Sequence, residues 1–208
     1  MTGILFDLDG TLLDTLEDLK DGVNHALRTL GYPERTLEEV RTFVGNGARK
    51  LMELSVPEGT DGEEAFRVFK PYYDSHCQIK TKPYAGIPEA LEVLKGKYPV
   101  AIVSNKPDSA VKSLCADYFP GIYALGEAAG CPRKPAPDMV FKAMEAIGVE
   151  SCIYVGDSEV DVLTAQNAGV PCLSVLWGFR NREELENTRF CEKCAELVEK
   201  LEEMIHVQ

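Results

Sequence analysis

Residues Ile4 to Thr11 read ILFDLDGT, an apolar run that breaks into two acids, a glycine and a threonine. From Gly3 to Phe6 nothing alternates with polar residues, which predicts a strand covered on both faces. Asp7-Leu8-Asp9-Gly10-Thr11 then supplies the residue types that turn a chain at a strand's end. Working outward, the runs Val100 to Val103, Ile122 to Leu125, Cys152 to Val155 and Cys172 to Leu176 have the same character. Helical patterns separate them, such as Ile87 to Lys97, with Pro88 in its first turn, and Met139 to Ile147, closed by Gly148. Strand and helix in alternation predict an α/β fold with a doubly wound, parallel, Rossmann-like sheet.

One stretch breaks the alternation. From about Thr15 to Lys80 there is no strand pattern, only successive helices, which is too long for a simple crossover. It predicts an α-helical domain of residues 15–80 inserted into a core made of residues 1–14 and 81–208. Leu16, Leu19, Val23, Leu27 and Leu30 form one apolar stripe ending at Gly31. Thr36 with Glu39, and Asp61 with Glu64, have the spacing of helix-capping boxes. Phe66, Phe69 and Tyr73 continue a stripe in which Pro71 is expected to place a kink.

Composition narrows the partners. Across 208 residues, Lys and Arg number 22 against 34 for Asp and Glu, a net charge of -12 that opposes nucleic acid and anionic lipid. No run approaches the roughly 18 apolar residues of a membrane span, and a strand beginning at Gly3 leaves no room for a signal peptide, so the expected address is cytoplasmic. The 7 cysteines are odd in number and mostly sit in apolar stretches, so no disulfide framework is expected. Cys191 and Cys194 in FCEKC have the spacing of half a metal site or a redox pair, but tetrahedral zinc needs two further ligands and no second CxxC exists. His25, His76 and His206 fall in no motif and are expected at the solvated surface. Oligomeric state is left open.

In open parallel sheets, ligands bind beyond the carboxyl ends of the strands. Besides Asp7 to Thr11, those ends carry Ser104-Asn105-Lys106 and Gly156-Asp157-Ser158-Glu159-Val160-Asp161, while Lys134 in RKPAPD precedes a helix. Each piece alone is ordinary turn or capping chemistry. In this order, each at a strand end or helix start, they form a constellation that chemistry explains better than folding does.

ILFDLDGT, IVSN, Lys134 in RKPAPD and YVGDSEVD resemble the four signature motifs of the haloacid dehalogenase superfamily, in their usual order. The helical insertion after the first motif resembles that superfamily's first-type cap, and FVGNGARKL with SVLWGF is similar to its phosphoglycolate phosphatase group. The resemblance implies magnesium-dependent hydrolysis of a small phosphorylated metabolite through an aspartyl-phosphate on Asp7. Asp9 would protonate the leaving oxygen and then deprotonate the water. Asp7, Asp157 and the backbone carbonyl of Asp9 would ligate Mg²⁺, with Asp161 acting through water or by orienting neighbours. Thr11, Ser104 and the backbone amide of Asn105 would bind the phosphoryl group, and Lys134 would supply fixed positive charge. Physical chemistry runs parallel: an anionic ester needs its oxygens neutralised and a nucleophile held in line. A carboxylate can be that nucleophile, and acids facing an anion need a hard cation between them.

Phosphoglycolate is the first expected substrate, ahead of a sugar phosphate, nucleotide or pyrophosphate. An acid at position 9 argues against carbon–halogen and carbon–phosphorus cleavage, whereas a phosphomutase would keep both aspartates and stays open. A silent binding protein would be free to lose Asp7, Asp9, Lys134 or Asp157, and all are present. In Gly45-Asn46-Gly47-Ala48-Arg49, Asn46 and Arg49 are expected to close over the substrate's remote end, guanidinium being suited to a carboxylate or second phosphate. The competing reading is that the glycines merely end one helix and start another, with Arg49 in solvent.

Overall fold

In a computed structural model that describes residues 1–207, the expected strands form one parallel sheet. β1 (Thr2–Phe6) lies between β4 (Val100–Pro107) and β6 (Ser151–Gly156). Outside these stand β5 (Tyr123–Glu127) on one side, and β7 (Cys172–Val175) and β8 (Phe190–Cys191) on the other. Along β1, Ile4 and Phe6 enter one apolar core and Leu5 the opposite one; along β6, Ile153 and Val155 face the first and Tyr154 the second. Both faces are covered, which is why these strands are apolar without alternation. The first face packs α5 (Ile87–Lys95), α6 (Asp108–Tyr118) and α9 (Leu197–His206); the second packs α7 (Asp138–Ile147) and α8 (Glu159–Ala168).

The chain winds outward from β1 through β4 to β5, then returns to the other side of β1 for β6, β7 and β8. That reversal opens a crevice at the carboxyl ends of the central strands, where Asp7, Ser104 and Asp157 emerge.

Between β2 (Leu13–Asp14) and β3 (Lys82–Pro83) stand α1 (Leu16–Thr29), α2 (Leu37–Phe43), α3 (Gly47–Ser55) and α4 (Gly62–His76). These helices share an apolar core of their own, with Leu19, Val23, Leu27, Leu51, Phe66 and Phe69 buried in it. Gly22 is required there: a Cβ would stand 2.8 Å from the Phe69 ring and 3.2 Å from that of Tyr73. The Thr36–Glu39 capping box forms as expected. Asp61, by contrast, accepts from the backbone N–H of Glu63 and makes no box with Glu64. α4 runs through Pro71 as one helix, with Pro71 on its exposed side.

β2 and β3 pair antiparallel where the chain leaves and re-enters the sheet layer, and β8 adds a sixth strand. Two residues each is too short for any periodicity to announce them. The Asp18 carboxylate fastens this neck by accepting from the backbone N–H groups of Lys80 and Thr81 at 3.0 and 2.8 Å.

His25 and His76 depart from the expected surface reading. Their rings stack on opposite sides of Tyr72, with centroids 3.9 and 4.0 Å away, because α1 and α4 pack side by side. All seven cysteines are free thiols. Among the described residues, no helix is long and apolar enough to cross a membrane.

Candidate active site

β1 brings Asp7 to the crevice, and its backbone N–H is pinned to the Val155 carbonyl of β6 at 2.8 Å. The turn that follows depends on Gly10, at φ +84°, where a Cβ would lie 2.3 Å from the Asp157 carboxylate. Only glycine permits both that backbone and that approach. The carboxylate oxygens of Asp7, Asp157 and Asp161 come within 4.8 Å of one another, all buried.

Lys134 is drawn among these acids. Its Nζ donates to Asp7 Oδ1 at 2.7 Å, Asp161 Oδ1 at 2.8 Å and Tyr154 Oη at 3.0 Å, and the residue is only 2% exposed. The Asn105 side chain fixes the loop that carries it, accepting from the Lys134 N–H at 2.8 Å and donating to its carbonyl at 2.9 Å. Asp161 uses its other oxygen on Ser158, accepting from N–H at 3.1 Å and from Oγ at 2.6 Å. Asp157 accepts from Thr11 Oγ1 at 3.2 Å and from the Phe179 N–H at 2.7 Å.

The electrostatics follow from the crowding. Burial, with the charges of Asp161 and Asp9, pushes the Asp7 carboxyl up to about 7 against the pull of Lys134. Burial and then Asp161 and Asp7 likewise hold Asp157 well above the usual carboxylate range. Burial works against the Lys134 ammonium, but Asp161 and Asp7 outweigh it and keep it charged. Fully ionised, the cluster would hold more negative charge than its own lysine neutralises, which is why burial and crowding favour the protonated acids until a cation joins them. Buried oxygen donors of this kind could hold a divalent cation.

Asp9 faces a second buried lysine. Lys106 Nζ donates to Asp9 Oδ1 and Oδ2 at 2.9 and 3.1 Å and to the Tyr73 hydroxyl of α4 at 2.9 Å. These groups border a cavity of about 50 Å³, which Leu19, Leu51 and Phe69 close from the helical side. Its volume suits a short ligand.

Several expected site residues stand where the sequence reading put them, and others do not. Asp7, Asp9, Ser104, Asn105 and Asp157 line the cavity. Thr11 is buried with its hydroxyl turned to Asp157, so it supports an acid and does not face the cavity. In the segment Val44 to Ala48, the wall is made by Val44, Gly45, Gly47 and Ala48, without Asn46. Arg49 points away from the cavity: it is exposed, paired with Glu63, and lies 4.2 Å over the Phe66 ring. Helix α3 turns it outward, and a local acid and aromatic face hold it there.

Four residues escaped the sequence reading. Lys106 was legible as the third residue of the Ser104 strand end but carried no role. Tyr73 looked like one more core position on an apolar stripe. Tyr154 was hidden within a strand. Arg180 gave no signal, although it joins the layers: it donates to Glu159 at 2.9 Å and to the carbonyls of Arg41 and Val44 at 2.8 and 2.9 Å. Arg41 answers by donating to the Phe179 carbonyl.

Comparison with known proteins agrees with this geometry. Residues 4–175 match the haloacid dehalogenase-like hydrolase family. A phosphoglycolate phosphatase of Aquifex aeolicus is 36% identical over 187 residues, covering 86% of each chain. One from Rhodobacter capsulatus is 34% identical over 189 residues, covering 85% of each. A solved structure from Lactobacillus delbrueckii subsp. bulgaricus, described as a candidate phosphoglycolate phosphatase, superposes with a TM-score of 0.91 at 36% identity, covering 96% of this chain and 98% of that one. By matched family, similar relatives and shared fold, this chain belongs to the haloacid dehalogenase-like hydrolases, in their phosphoglycolate phosphatase-like group, and is a phosphatase that acts on a small phosphorylated substrate.

Proposed function

We propose that the chain uses Mg²⁺ to hydrolyse a small phosphate monoester, phosphoglycolate first among the candidates, through an aspartyl-phosphate on Asp7. The observation that carries this reading is the buried meeting of Asp7, Asp157 and Asp161 within 4.8 Å, with Lys134 bridging Asp7 and Asp161. Phosphoglycolate is supported by the names of the similar proteins and by the small cavity.

The donor set fits the metal: hard carboxylate oxygens, buried and under-neutralised, suit a hard cation that favours oxygen ligands and octahedral geometry. Asp7, Asp157 and the backbone carbonyl of Asp9 would hold it. Asp161, whose two oxygens are engaged by Lys134 and Ser158, acts as an orienting group. Mg²⁺ supplies neutralisation of the phosphoryl oxygens and of the crowded acids.

The chain's own residues do the rest. Lys134 occupies one oxygen of Asp7, leaving the other, which has no hydrogen-bond partner among the described residues, as the nucleophile. As that oxygen bonds to phosphorus, the ester bond breaks and Asp9 gives its proton to the departing oxygen. Asp9 then takes a proton from the water that attacks the aspartyl-phosphate, and Asp7 is freed. Ser104, the Asn105 amide and Lys134 stabilise charge on the transferring group. The helices of residues 15–80 serve as a cap whose closure excludes water.

The test is an assay of the purified chain with Mg²⁺ against phosphoglycolate, a sugar phosphate, a nucleotide and pyrophosphate. The expected result is the highest kcat/KM on phosphoglycolate, abolished by EDTA, restored by Mg²⁺ and supported poorly by Ca²⁺. A higher value on another ester would replace the substrate, and full activity in chelator would overturn the metal.

A further inference from the structure

Lys106 is 5% exposed, yet it lines the cavity, and the phosphoryl chemistry described above makes no use of it. The other cation lining the cavity, Arg180, is taken up by Glu159 and by backbone carbonyls of α2 and the loop after it. Lys134 is committed to Asp7 and Asp161. Lys106 therefore remains as the cation beside Asp9, on the side where the leaving group departs.

We propose that Lys106, together with Tyr73, reads an acid group on the alcohol part of the ester, making this pair the specificity determinant for phosphorylated hydroxy acids. The inference rests on the phosphatase reading and names the residues that choose its substrate. It also moves anion recognition from Arg49, which faces solvent, to a lysine within the cavity.

Geometry sets the class of ligand. Lys106 holds Asp9 through two contacts, and the longer, at 3.1 Å, is the one a bound carboxylate would replace. The Tyr73 hydroxyl accepts from Lys106 at 2.9 Å and keeps its own proton to donate. A carboxylate entering here meets an ammonium and a phenol, two donors in a buried setting where charge-assisted hydrogen bonds are strong. Asp9 stands between the ester oxygen and Lys106, so the acid must be a bond or two from that oxygen, as in a phosphorylated α-hydroxy acid. Leu51 and Phe69, both buried, add apolar wall to this small cavity and offer a longer chain no polar partner of their own.

The experiment measures equilibrium binding and turnover side by side, with Mg²⁺ present. 3-Phosphonopropionate carries the carboxylate and propylphosphonate lacks it; neither can be hydrolysed. Wild type is expected to bind the acid about 10- to 100-fold more tightly. Lys106→Met should bring that ratio near unity, and Tyr73→Phe, which keeps the ring and its packing, should lower it severalfold. In turnover, the ratio of kcat/KM for phosphoglycolate over ethyl phosphate should fall in parallel. Equal wild-type binding of the two phosphonates, or an undiminished ratio in Lys106→Met with both substrates slowed alike, would overturn the proposal and leave Lys106 as a positioning residue for Asp9. Thermal melting separates misfolding of Lys106→Met from the effect sought; if that variant does not fold, an unchanged ratio in Tyr73→Phe is the overturning result. A wild type that binds the phosphonates but hydrolyses no ester would sink the phosphatase reading while the binding ratio still judged this one.

Discussion

Beside the cavity Lys134 lies between Asp7 and Asp161, and its partners come from the end of β1, from β6 and from the first turn of α8, all within the sheet layer and the helices packed on it. In the cavity wall Lys106 lies between Asp9 and Tyr73, and Tyr73 arrives from α4 in the helical layer. Both lysines are buried and both bridge oxygens. The first arrangement is complete within the core, so it persists however the helices sit. The second is complete only when the helical layer is docked, because only then does Tyr73 reach the Lys106–Asp9 pair. On the proposed mechanism, phosphoryl chemistry is thereby built into the core, and contact with the rest of the substrate is shared between the core and the helical layer.

The contrast can be broken most sharply at the core end. Asp7→Asn is expected to lower turnover by about 10⁴-fold or more, since the nucleophile goes. It should still fold, and in chelator melt no lower than wild type, because one buried charge is removed from a crowd of like charges. Residual activity within a few fold of wild type would break the assignment. Lys134→Met should cost about a thousandfold in rate, from the ~4 kcal/mol of a charge pair at an effective dielectric near ~20. It also leaves Asp7 and Asp161 buried without their partner, which is expected to cost about 3–5 kcal/mol in urea unfolding. Unchanged rate and stability would show that the acids do not need it.

The junction of core and helical layer is expected to be more forgiving. Arg180→Ala removes the donor that ties Glu159 to the end of α2, and kcat/KM should fall about tenfold, the worth of one charged hydrogen bond. Hydrogen exchange should quicken in α2 and α3 and stay unchanged in β1 and β6; equal quickening in all four would mean a general loss of stability. Arg49→Ala closes the series with the smallest effect. Its pair with Glu63 is exposed, at 55% and 43% for the two side chains, so kcat/KM should change by less than about twofold on phosphoglycolate and on p-nitrophenyl phosphate alike. A loss confined to phosphoglycolate would mean that the helical layer swings Arg49 inward during turnover.

By itself the sequence determined the parallel sheet, the helical stretch between its first two long strands, and the acids at the strand ends. These are local facts: a both-face-buried strand is a short apolar run, and the residues just past it lie at the sheet's edge whatever surrounds them. The sequence left two places open for Arg49, over the substrate or in solvent, because a loop between helices says where the backbone passes but not which way the next helix turns its side chains; here it stands outside the cavity against Glu63 and Phe66. The roles of Tyr73 and Arg180 were decided by tertiary structure alone. Tyr73 meets Lys106 across 33 positions, and Arg180 meets Val44 across 136. No periodicity encodes a contact of that range; it arises only when the helical core has packed around Phe69 and the neck at Asp18 has set that core above the end of β1.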